Sequence, residues 1–127
     1  MLSWSLPGRV FLCLLPTDMR KSFDSLTGLV ERELGQDPLA GDLFVFRSRR
    51  GDRLKLLYWD RDGLAIWYKR LEEGTFVFPT PDPQRLRVGS HGLLIRPAEL
   101  AMLLDGLDVQ KVQRRQRYQR PQPSTPR

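Results

Sequence analysis

The chain has 127 residues, 40% hydrophobic and 28% charged, and 21 Lys and Arg against 15 Asp and Glu give a net charge of +6. That length and balance fit one compact soluble domain and leave no room for two ordinary ones. A lone cysteine, Cys13, and a lone histidine, His91, exclude an internal disulfide, a thiolate metal cluster and a paired-histidine metal site.

The first apolar run, residues 9–15, reads as a buried strand ended by Pro16, and Cys13 within it as a buried structural thiol. It is far too short to span a membrane. Residues 1–8 contain no basic side chain and carry Pro7, unlike a signal peptide, so the chain is expected in the cytoplasm, away from membranes. Phe23, Leu26, Val30 and Leu34 then recur at helical spacing, with Ser22 as cap and Gly35 as terminator. Gly28 inside this helix costs about 1 kcal/mol relative to alanine, so the helix depends on packing.

Residues 43–47, 53–59, 64–71 and 75–78 are strand-like runs rich in aromatic and branched side chains. Breaks ending in Gly51, Gly63 and Gly74 separate them, which predicts an antiparallel meander of about four strands. Three-residue loops with glycine in the left-handed position place Phe46 opposite Leu54, Tyr58 opposite Ile66 and Arg70 opposite Phe76. One face is then almost wholly apolar, from Phe44 to Phe78. The other collects Arg47, Arg53, Lys55, Trp59, Trp67 and Lys69, with Arg47 facing Arg53 and Lys55 facing Lys69. Opposed like charges weaken a sheet. Replacing Lys55 is therefore expected to leave stability at least unchanged.

Beyond the meander, residues 79–83 hold three prolines and read as a connector. Residues 93–95 form a short strand, and Pro97 opens a helix over 98–104 that Gly106 stops. A further candidate helix covers about residues 108–118. The expected fold is α+β, the meander plus an N-terminal strand, covered by two or three helices. Residues 1–108 make one compact α/β domain and residues 109–127 a basic, proline-rich, flexible C-terminal arm.

Charge is concentrated in that arm. Lys111, Arg114, Arg115, Arg117, Arg120 and Arg127 carry six positive charges with no acid among residues 111–127, so residues 1–110 sum to zero. Phosphates or an acidic partner are the targets such an arm fits. The segment Thr17-Asp18-Met19-Arg20-Lys21 precedes the first helix, where free amides and the dipole favour an anion and Arg20 and Lys21 add cations. The simpler reading has Thr17 or Asp18 capping amides and Arg20 paired with a sheet carboxylate. On the basic face, the tryptophans either stack nucleic-acid bases beside the cations or pack under a helix while the cations snorkel outward. Asp52, Asp60 and Asp62 sit at hairpin turns and make a poor metal cage; Asp60 and Asp62 read as turn residues that bond nearby amides. No catalytic residue, metal ligand or cofactor is assigned.

The strings Thr17-Asp18-Met19-Arg20-Lys21-Ser22-Phe23-Asp24, Gly41-Asp42-Leu43-Phe44-Val45-Phe46-Arg47 and Lys55-Leu56-Leu57-Tyr58-Trp59-Asp60, followed by Trp67-Tyr68-Lys69-Arg70-Leu71-Glu72-Glu73-Gly74-Thr75-Phe76 and residues 99–106, together carry a resemblance. In this order they resemble the accessory protein TnpB of the bacterial insertion sequence 66 family, which is distinct from the RNA-guided nuclease of the same name. The resemblance runs over about residues 10–108. It implies a non-catalytic accessory role in DNA transposition beside a separate transposase, and brings no settled biochemical activity. Its motif positions are Thr17 to Lys21, Arg47, Arg53, Lys55, Trp59, Asp60, Trp67, Lys69 and Arg70.

Two functions follow as expectations. In one the chain binds transposon-end DNA through Arg20, Lys21, Arg47, Arg49, Arg50, Arg53, Lys55, Trp59, Trp67, Lys69, Arg114, Arg115 and Arg117. In the other it is a protein adaptor that bridges or regulates the transposase without touching DNA. Oligomeric state stays open.

Overall fold

The computed structural model describes residues 8–106. The candidate helix after Asp108, the basic arm and its Arg114, Arg115 and Arg117 lie outside the described residues. Eight elements follow in chain order: β1 (Val10–Thr17), α1 (Phe23–Glu33), β2 (Leu43–Ser48), β3 (Arg53–Asp60), β4 (Gly63–Arg70), β5 (Arg87–Val88), β6 (Gly92–Ile95) and α2 (Pro97–Leu104). The strands form one six-stranded mixed sheet in the order β4-β3-β2-β1-β6-β5.

The α+β class and both expected helices are present. Ser22 precedes α1, its N–H donating to Ser25 Oγ at 3.0 Å, and Gly35 follows it with φ +62°. The antiparallel meander, however, has three strands, β2 to β4. Residues 75–78 form no strand; Phe76 N–H instead donates to Gly51 O at 2.8 Å, holding the segment against the β2–β3 turn. The N-terminal strand runs on through Pro16 to Thr17, and the β1–β2 register shifts between Cys13 and Thr17. β1 joins β2 in parallel, because the α1 crossover returns the chain to the same end of the sheet.

The expected register is overturned by one residue in each hairpin. Phe46 faces Lys55 rather than Leu54, with a four-residue loop at 49–52 in which Ser48 Oγ accepts from Arg53 N–H at 3.1 Å. Tyr58 faces Ala65 rather than Ile66, because Arg61 itself takes the left-handed conformation (φ 57°) and Gly63 enters the strand. A one-residue slip exchanges the faces of a strand, so β3 turns over relative to both neighbours. Lys55 therefore faces Tyr68, Lys69 faces Leu54 and Arg47 also faces Leu54. The expected Lys55–Lys69 and Arg47–Arg53 pairs do not exist. The like-charge pair across the sheet is Arg53 with Arg70.

Both faces are covered. On one, Phe11, Phe44, Phe46 and Leu57 pack with Leu26, Leu29, Val30 and Leu34 of the α1 segment. Phe11 and Phe44, neighbours across the parallel ladder, stack at 5.8 Å. On the other, Val10, Leu12, Leu43, Val45, Leu54 and Leu56 pack with Leu100 and Leu103 of α2 and with Phe76. Two covered faces explain why residues 43–46 are apolar without alternation.

Candidate nucleic-acid interface

Because β1 and β2 are parallel, the chain leaves both at the same end of the sheet, where Thr17 pairs with Ser48. The loop entering α1 and the turn after β2 thus become the two walls of one cleft, of about 390 Å³. Met19 and Arg20 contribute from the first wall, Arg49, Arg50 and Arg53 from the second. Ligand sites in α/β sheets form outside the carboxyl ends of parallel strands for this same topological reason.

Asp18 organises the first wall. Its carboxylate accepts from Arg20 N–H at 2.9 Å and from Arg20 Nη2 at 2.6 Å. Those bonds hold the Asp18 carboxyl well below the usual carboxylate range. Asp18 thus caps a backbone amide as expected, but the sheet carboxylate expected to pair with Arg20 is replaced by Asp18 itself, two residues back in the loop after β1. The Arg20 side chain nevertheless stays 90% exposed, so it can meet a second anion. Asp52, the other acid of the cleft, lies 3.3 Å from Ser48 Oγ. Four guanidiniums against two carboxylates leave the cleft cationic.

Other candidates are placed elsewhere. Arg47 is on the α2 side, donating to Phe76 O at 2.9 Å with its guanidinium 3.9 Å from the Phe78 ring centre, and burial pushes its pKa down. Lys55 is only 8% exposed, and its Nζ donates to the carbonyls of Met19 at 2.9 Å and Lys21 at 2.7 Å. It braces the first wall from inside. Trp67 packs against the α2-side core, while Trp59 stands on the α1 side, about 20 Å along β3 from Arg53. Lys69 is exposed on the α2 side. The single basic face expected from the sequence is thus divided between two faces.

Tyr68 and Arg70 were missed as site residues. They lie on the α1 side and, with Arg53 and Glu72, line a second concavity of about 420 Å³. The corrected β3 register brings them beside Arg53 and Lys55; local alternation alone had put Tyr68 with the core.

Among the described residues no group of three or more His, Cys, Asp or Glu is placed to hold a metal, and no helix is long and apolar enough to cross a membrane.

Fold and site together define a small α+β protein with a cationic cleft at the carboxyl end of a parallel strand pair. The chain belongs to the IS66 Orf2-like protein family, whose model matches residues 8–114. Two similar proteins come from Sinorhizobium fredii strain NGR234. One carries the name uncharacterized protein y4jC and is 38% identical over 107 residues, covering 84% of this chain and 86% of that protein. The other, uncharacterized protein y4hO, is 40% identical over 100 residues, covering 79% and 81%. No solved structure matches the chain. Family membership supports an accessory role in an insertion sequence, as the resemblance implied.

Proposed function

We propose that this chain is a non-catalytic accessory factor of insertion-sequence transposition that binds transposon DNA along its phosphate backbone. The observation that carries the reading is the convergence of Arg20, Arg49, Arg50 and Arg53 on one cleft. Arginine presents a planar fork of donors suited to phosphate oxygens, and the six charges of residues 111–127 extend the same attraction. Lys21 follows Arg20 at the entrance to α1, where its carbonyl accepts from Lys55 Nζ, and it is not among the residues that line the cleft. The adaptor reading assigns the same arginines to acidic surface of the transposase.

The test replaces Arg49 and Arg50 together with glutamine and titrates salt against affinity for a duplex carrying the transposon end. Both side chains are exposed at the turn, so the fold is expected to persist. Affinity should fall, and the slope of log K against log salt should flatten by about 2 units, one per phosphate contact. An unchanged affinity and slope would move the function to the adaptor.

A further inference from the structure

We propose that the DNA is engaged in unpaired form, with one base stacked on Tyr68 while its backbone follows the arginine cleft; this rests on the DNA reading above. Tyr68 is 47% exposed on the α1 side of the outermost strand. Its ring is fixed from two directions, by Lys55 Nζ 4.7 Å from the ring centre and by Arg53 Nη1 3.3 Å from the hydroxyl. An aromatic held in place yet open to solvent loses little freedom when a flat ligand docks on it.

Arg53 belongs both to the main cleft and to the concavity beside Tyr68. A backbone lying across Arg49 and Arg50 is therefore led past Arg53 to Arg70 without leaving cationic surface. Arg53 and Arg70 face each other directly across the ladder, an arrangement that weakens the sheet. Glu72 offers Arg70 only an exposed contact at 3.6 Å. A phosphate between the two arginines relieves the repulsion. In a duplex the base faces are hidden inside the stack, whereas an unpaired strand can lay a base on an aromatic ring next to a basic track.

The experiment measures fluorescence anisotropy of the full chain with three probes: a thymidine strand about 15 nucleotides long, an abasic strand of the same length, and a duplex. The parent should bind the thymidine strand about tenfold tighter than the abasic one. Tyr68→Leu should abolish that preference while leaving duplex affinity unchanged, and Tyr68→Phe, which keeps the ring, should retain most of it. Thermal melts check the folding of both variants. If Tyr68→Leu does not fold, the parent's thymidine-to-abasic ratio and Tyr68→Phe decide the outcome. Equal binding of thymidine and abasic strands by the parent overturns the inference, as does an equal loss on all three probes in folded Tyr68→Leu. Binding that is lost on replacing Arg49 and Arg50 while the parent holds thymidine and abasic strands equally leaves the cleft standing and discards only the unpaired strand. Failure of every probe to bind removes the DNA reading itself.

Discussion

Lys55 Nζ donates to the carbonyl of Lys21 at 2.7 Å, and a second bond at 2.9 Å reaches Met19, so a lysine of the central sheet pins the loop that enters α1. The ammonium is buried, and removing it leaves two backbone carbonyls without that donor. Bonds from a charged donor contribute more than neutral ones, and an orphaned buried acceptor bears a desolvation penalty. Lys55→Met is expected to lower unfolding free energy by about 2–3 kcal/mol, read from urea denaturation. This reverses the stability expected from the face-to-face lysine pair. An unchanged midpoint would show that the loop keeps its conformation without Lys55.

A second prediction concerns the arm. Deleting residues 111–127 removes six positive charges and leaves a remainder with no net charge. DNA affinity should drop, and the salt slope should flatten by up to about 5 units if every charge meets a phosphate. The melting transition should hardly move, since Val112 and Tyr118 are the only large apolar side chains removed. A large fall in melting temperature would mean that the arm contributes to the core.

The third prediction follows from a buried ion pair beneath α2. Arg85 Nη2 lies 2.8 Å from Glu99 Oε2, with Glu99 2% exposed. It is a charge contact rather than a well-directed hydrogen bond, because neither Arg85 Nε nor Glu99 Oε2 gains a bonded partner among the described residues. Burial pushes the Glu99 carboxyl up. The Arg85 guanidinium, the Arg96 N–H and the Arg96 charge outweigh it and hold the group below the ordinary glutamate value of 4.5. The folded state therefore binds the proton less readily than the unfolded state. Glu99 contributes stability in full above about pH 4.5 and loses it as pH falls through the lower folded value. Glu99→Gln should cost about 3 kcal/mol at neutral pH by leaving Arg85 unpaired. The gap between variant and parent should narrow as the medium is acidified. Denaturant titrations at several pH values check this, and a gap that stays constant into acid would contradict the linkage.

Much of the local structure was legible in the chain itself. The spacing of Leu26, Val30 and Leu34 marked α1, Pro97 and Gly106 bounded α2, and the arginines of residues 49–53 and of the loop after Thr17 stood out as two anion candidates. These signals come from residues close in sequence, acting through helical period, capping and turn chemistry. Tertiary structure decided what met what. Local alternation assigns a strand two faces but not which neighbour shares each, and the left-handed Arg61 and the four-residue loop at 49–52 turned β3 over, parting Lys55 from Lys69. Parallel pairing of β1 with β2 then brought the two anion candidates to one cleft, a contact made by the 25-residue excursion through α1 that no local pattern encodes. With both faces of the sheet in need of cover, α1 and α2 took one each, and the residues left open at its carboxyl end form the candidate site.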